Sequence, residues 1–202
     1  MEAIPYEVFR LLIDTLEEVD RNNLEKVDEF DDYFEQYWKD KTWKDFGIKN
    51  GDKILYETIT KYSNLERALE FLVERRDFVR ALKLTNAGVS SDKALKDSCL
   101  FGSTEVVEDI LKNKKINPSI NGQYCLTMAS SLGYVDIVKL LLRDPRVKPE
   151  INDSIAIGLA AKMGRLEVVK LLVEDGRSNV KIALKNAKER NRLEIVRFLE
   201  EL

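Results

Sequence analysis

Four blocks between Ala94 and Asn191 copy one another, and copying at a near-regular interval restricts the fold more than any single motif does. Ala94-Leu-Lys-Asp-Ser-Cys-Leu-Phe-Gly102 aligns without gaps with Cys125-Leu-Thr-Met-Ala-Ser-Ser-Leu-Gly133. Ala156-Ile-Gly-Leu-Ala-Ala-Lys-Met-Gly164 and Ala183-Leu-Lys-Asn-Ala-Lys-Glu-Arg-Asn191 complete the set, and successive starts lie 31, 31 and 27 residues apart. A second block follows each: Glu105-Val-Val, Asp136-Ile-Val, Glu167-Val-Val and Glu194-Ile-Val, completed by Ile110, Leu141, Leu172 or Leu199.

Each column has a physical reading. Small residues at Ser98, Ala129, Ala160 and Ala187 let a first helix press against its neighbours. Gly102, Gly133, Gly164 and Asn191 end that helix, because the left-handed backbone favours Gly and then Asn. Glu105, Asp136, Glu167 and Glu194 fall in the first turn of a second helix, where the dipole favours negative charge. The Val-Val-x-x-Leu pattern then sets an apolar stripe at helical spacing. Neither helix buries its face alone, so the units must stack into a solenoid. The expected fold class is all-α from about Ser91 onward, with no strand.

These residues resemble ankyrin repeats over roughly residues 92–202. Ala160-Ala161-Lys-Met-Gly-Arg-Leu-Glu-Val-Val-Lys-Leu-Leu172 and Asp136-Ile-Val-Lys-Leu-Leu-Leu142 are close to that family's signature. The Leu-Leu-Arg-Asp-Pro-Arg-Val-Lys-Pro run ending at Pro149 is similar to a variant of amoebal and giant-virus ankyrin proteins. Two departures stand out. The Thr-Pro-Leu-His opening is missing, and its bracing hydrogen bonds are expected to be missing with it. The interrepeat loop from Val173 to Val180 is four residues short. Upstream, Asp77-Phe-Val-Arg-Ala-Leu82 matches the second-helix block, which suggests a degenerate capping repeat over about 64–90. Repeats then start near 92, 123, 154 and 181.

Composition removes most alternatives. The chain has no histidine and two cysteines. That excludes His-based acid–base catalysis and the Ser-His-Asp and Cys-His arrangements, and leaves too few ligands for a four-ligand zinc site. No phosphate-binding Gly-rich loop occurs. The expectation is a non-enzyme without cofactor or metal, with Cys99 and Cys125 as reduced core residues in small-residue columns. The start of the chain shows no secretory signal and the sequence has no apolar run long enough to span a bilayer, so an intracellular, cytoplasmic protein away from membranes is expected, or one of the host cytoplasm or nucleus if viral; a monomer is also expected.

The net charge of −3 hides an asymmetry: residues 1–60 carry −8 and residues 61–202 carry +5. Two segments with different surfaces are therefore expected, an acidic helical segment over 1–60 and the repeat solenoid over 61–202. In the first, Pro5 suits a helix start and Val8, Leu11, Leu12 and Leu16 form one apolar face. Ile4-Pro5-Tyr6-Glu7, with Trp43-Lys-Asp-Phe-Gly-Ile48 some forty residues on, resembles an F-box, although the stretch from Glu17 to Glu35 is unusually acidic. That resemblance implies the adaptor subunit of a cullin-type ubiquitin ligase as partner, contacted by Ile4, Pro5, Leu11, Leu12, Leu16 and Leu24. The same residues would equally serve as the segment's own core, in a helical cap. Trp38 and Trp43 read as core anchors.

The resemblance also implies a protein partner for the stack. The column before each helix-ending residue, Phe101, Leu132, Met163 and Arg190, is expected to face the concave groove, with Gln123 and Ser154 as further contacts. Three apolar side chains in line suggest a contact stripe, or else residues tucked beneath neighbouring loops. Lys112, Lys114 and Lys115 form a small basic cluster that reads as solvated rather than as a nucleic-acid site. Two functions remain open. One is an adaptor joining a stack-bound protein to a ubiquitin ligase; the other is a free-standing binder that sequesters or blocks a cellular protein.

Overall fold

A computed structural model describes residues 31–202, apart from the side chains of residues 31, 33, 34, 120–122 and 153. Ile4, Pro5, Leu11, Leu12, Leu16 and Leu24 therefore lie outside the described residues. The described chain is all helical, with 12 helices and no strand. Two compact units divide between Asn64 and Leu65.

In the first unit, α1 is described over Asp31–Phe46 and α2 spans Lys53–Tyr62. Tyr37, Trp38, Ile48, Leu55 and Ile59 are buried together with Thr42 and Thr58. The two threonines avoid an unmet hydroxyl by bonding up their own helices: Thr42 Oγ1 donates to the Trp38 carbonyl at 2.6 Å and Thr58 Oγ1 to that of Ile54 at 2.7 Å. Gly51 is required by proximity, since a Cβ there would lie 2.2 Å from the Thr42 side chain. Asp52 caps α2 by accepting from the Leu55 N–H at 2.9 Å. Trp43 departs from the expected role of core anchor. It is 52% exposed, because it lies on the side of α1 away from Tyr37 and Trp38, and Lys49 Nζ sits 5.5 Å from its ring.

The second unit is five antiparallel helix pairs: α3 and α4 (Leu65–Glu74, Phe78–Asn86), α5 and α6 (Asp92–Phe101, Thr104–Lys112), α7 and α8 (Ile120–Leu132, Val135–Arg143), α9 and α10 (Ile151–Met163, Leu166–Glu174), and α11 and α12 (Val180–Glu189, Leu193–Glu200). First helices pack in one row, α3 to α11, and second helices in another, α4 to α12. The same turn closes all five pairs. A left-handed residue stands at Arg76, Gly102, Gly133, Gly164 and Asn191, with φ of 60°, 83°, 86°, 76° and 52°. The next N–H then reaches back to the small-residue column: Ser103 to Ser98, Tyr134 to Ala129, Arg165 to Ala160 and Arg192 to Ala187, at 2.8–3.1 Å.

The core lies between the rows. Val106, Val107 and Ile110 of α6 are buried, as are Ile137, Val138 and Leu141 of α8, and Val168, Val169 and Leu172 of α10. Each such side chain contributes roughly 1.5–3 kcal/mol of burial. Ser98, Ala129, Ala160 and Ala187 are fully buried where first helices meet. The four-residue deficit before the last pair is shared between loop and helix: α10 and α11 are joined by residues 175–179, against 144–150 one repeat earlier, and α11 starts 11 residues before Asn191 where α9 starts 13 before Gly164.

The bracing expected to be lost is supplied by arginines. Arg146 grips Asp144 through two bonds of 2.9 and 2.6 Å, and its free N–H groups donate to the carbonyls of Ile116 at 2.5 Å and Leu111 at 3.3 Å. One repeat on, Arg177 grips Asp175 at 2.8 and 2.6 Å and donates to Val147 at 3.0 Å and Leu142 at 3.1 Å. Leu111 and Leu142 lie in the last turns of α6 and α8, where carbonyls lack helical partners and a cation is favoured. First helices are capped in the same way: Arg165 Nε donates to the Ser131 carbonyl and Arg192 Nε to that of Lys162, each at 3.1 Å. Gly133 is needed twice over, for its backbone and because a Cβ would stand 2.9 Å from Arg165 Cδ.

Candidate functional site

The first helices differ from the second in how their apolar residues are spread. Second helices are apolar on one face only. α9 is apolar nearly all round and α7 carries no charged residue, as fully enclosed helices would be. They are not fully enclosed. On α9, Ile155, Leu159 and Met163 follow one another at i, i+4, i+8 on the outward face, and Ile155 is 41% and Met163 47% exposed. On α7 the corresponding Tyr124, Met128 and Leu132 are half-buried.

The two stripes lie on adjacent helices, because α7 packs directly on α9. Past the turn, a shallow depression of ≈ 240 Å³ lined by Leu132, Val135, Arg165, Leu166 and Glu167 extends the surface. The flanking helices carry polar residues in the same columns: Lys93 and Asp97 on α5, Asn186 and Arg190 on α11 with its capping turn. The outward face of the stack is therefore an apolar centre with charged borders. Phe101, at one border, is half-buried beneath the Arg76 guanidinium, 5.1 Å from its ring.

Of the expected contact residues, Phe101, Leu132, Met163 and Arg190 stand in one column on this face. Gln123 and Ser154 do not join it. Both are 2% exposed and have positive φ, 70° and 55°, so the backbone at the start of α7 and α9 turns them inward. Ser154 Oγ accepts from the Asn179 N–H at 2.9 Å, a brace between repeats. Sequence reasoning passed over Tyr124, Met128, Ile155 and Leu159, whose i, i+4 spacing was visible but looks the same as core spacing.

Residues 126–201 match the family model described as ankyrin repeats (3 copies). The last three pairs of the stack carry ankyrin repeats. The matched span covers α8 to α12 and most of α7, and the upstream pairs repeat the same left-handed turn outside it. No curated protein matches the chain. Ankyrin repeats are protein-interaction modules. Among the described residues no group of His, Cys, Asp and Glu could hold a metal ion, and no helix is long and apolar enough to cross a membrane. Cys99 and Cys125 are buried free thiols on α5 and α7. Hydrogen bonding to Cys125 first, and burial second, hold the Cys99 thiol well above its usual range, so it stays protonated at neutral pH. Lys112, in the basic cluster, is bonded to Asp109 at 2.5 Å.

Proposed function

We propose that this chain is a non-enzymatic binding protein whose ankyrin repeats hold a partner protein against the outward face of α7 and α9. The observation that carries the reading is the pair of exposed apolar side chains Ile155 and Met163 in line on α9. Water-exposed apolar residues in a continuous stripe cost solubility and add nothing to the fold, whereas contact with a partner buries them. Capture from lysate on the native chain and on an Ile155→Asp/Met163→Asp variant tests it. Proteins held by the first and lost by the second support the surface; identical capture by both defeats it.

For the first 60 residues the same reading takes the adaptor form. Ile4-Pro5-Tyr6-Glu7 and the Trp43 to Ile48 ending resemble an F-box, and Trp43 is exposed, which suits a contact residue. Reconstitution with a purified cullin adaptor subunit tests this arm. Failure to form a complex would leave a free-standing binder that sequesters or blocks its partner.

A further inference from the structure

The chemistry of the partner follows from the charges around the stripe, and it rests on the docking surface proposed above. α7 carries no charged residue at all. On the other first helices of the centre and its borders, every described acidic side chain is engaged. Asp92 accepts from the Asn117 N–H at 3.2 Å, Asp97 is bonded by Lys93 at 2.9 Å, and Glu189 lies 4.0 Å from Lys185. The cations are not balanced in the same way. Lys162 stands beside Met163 on the outward face of α9, and Arg190 continues the Met163 column past the end of α11. Lys96 stands on α5, next to the Lys93–Asp97 pair. None of these three has a side-chain partner among the described residues.

Unpaired cations beside an apolar floor give a positive potential that water screens less than over an open surface. A basic segment would meet like charge there; a purely apolar one would leave Lys162 and Arg190 uncompensated at its edge. We infer that the segment held on α7 and α9 is an acidic peptide with apolar anchors, whose Asp or Glu carboxylates meet Lys162 and Arg190 while the anchors cover Met128, Leu132, Ile155 and Met163. The dimensions agree. The stripe from Ile155 to Met163 runs about 12 Å along the helix, and the step to α7 adds about 9 Å. That is room for two or three side chains, with carboxylates between them.

Selection of a random peptide library on the immobilised full chain tests this, with counter-selection on Ile155→Asp/Met163→Asp. Thermal melts establish that the variant folds, and Ile155→Ser/Met163→Gln replaces it if the melt is lowered. Expected winners carry net negative charge with Leu, Phe or Trp anchors. They bind Lys162→Glu/Arg190→Glu at least about tenfold more weakly and weaken as salt rises from about 50 to about 500 mM. Neutral or basic winners that ignore the charge reversal overturn the acidic assignment and leave the docking surface standing. Winners that bind native and Asp-substituted chains alike, or no winner at all, overturn the docking surface itself.

Discussion

α9 and α11 are neighbours built on one template, and they treat their outward faces in opposite ways. Both bury alanines at the same two columns, Ala156 with Ala160 and Ala183 with Ala187. They pack closely enough that a Cβ on Gly158 would stand 2.7 Å from Asn186 Nδ2. Outward, α9 shows Ile155, Leu159 and Met163, whereas α11 shows Ile182, Asn186 and Arg190. The fold thus constrains the columns between the rows and leaves the outward columns free. What stands there answers to solvent and to Gly158 of α9 on α11 and, in the proposed reading, to a partner on α9.

Two isoleucines separated by a single residue give the sharpest test of that division. Ile157 is fully buried and Ile155 is not. Ile157→Ala is expected to cost about 2–5 kcal/mol in urea unfolding, the range for a buried aliphatic truncated to a cavity. A loss under about 0.5 kcal/mol, the usual span for surface changes, would mean that the inward columns are no more constrained than the outward ones.

The arginine braces belong with the constrained columns although they lie in loops. Arg146 bonds one carboxylate and carbonyls of the preceding repeat, and hydrogen bonds to a charged group are worth about 1.5–3 kcal/mol. Its side chain is one-quarter exposed, so Arg146→Ala is expected to cost nearer 1–2 kcal/mol. Arg146→Lys should recover little, since a point charge cannot fill a planar fork. Equal stability of both variants and the native chain would show that the brace is ornamental.

Its carboxylate adds a pH dependence. The Arg146 guanidinium bonded to Asp144 holds that carboxyl below the usual carboxylate range in the folded chain. A carboxyl depressed on folding stabilises above its unfolded pKa, about 3.9, and the contribution is lost as pH falls through the lower folded value. Asp144→Asn should therefore be less stable than the native chain at pH 6 and lose less on going to pH 3, by urea unfolding. Parallel losses would remove Asp144 from the account.

The helix pairs were legible because their stops are chemically distinctive: Gly102, Gly133, Gly164 and Asn191 stand where only a left-handed residue closes the turn. The first pair was half hidden, since Arg76 occupies that column at φ 60° and a charged residue gives no hint of such a backbone. The braces were hidden differently. Asp144-Pro-Arg146 and Asp175-Gly-Arg177 recur 31 residues apart, yet their work depends on carbonyls 30 and 35 residues upstream. Trp43 misled because an aromatic residue in a helix is expected in the core, and nothing local tells which side of α1 faces out.

Arg76 offers a smaller effect of opposite sign. A non-glycine residue in the left-handed region is strained by about 1–2 kcal/mol, and glycine also loosens the unfolded chain. Arg76→Gly also removes the contact of its guanidinium with Phe101, worth about 0.5–1 kcal/mol when exposed. The net expectation is a gain of at most about 0.5–1 kcal/mol, read as a higher urea midpoint. Destabilisation would mean that the cap over Phe101 outweighs the turn, and that the border of the apolar face is held more firmly than the comparison of α9 with α11 implies.

The smallest stability effect carries the most functional weight. Ile155→Ala removes an apolar side chain whose outward half already meets water, so folding should change by no more than about 0.5 kcal/mol. Binding behaves otherwise. In contact with a partner, the same atoms are drained of water, and truncating such an anchor costs more than about 1 kcal/mol of affinity, two or more if it is a hot spot. Ile182→Ala on α11, in the same column but turned toward Gly158 of α9, serves as the control and should leave affinity for the same ligand within about 0.5 kcal/mol. Urea unfolding of both variants, with titration of a peptide or protein selected on the native chain, separates the outcomes. If Ile155→Ala unfolds the chain by several kcal/mol, the outward stripe is core. If both variants keep stability and affinity, the apolar face of α9 has no more to do with partners than the polar face of α11.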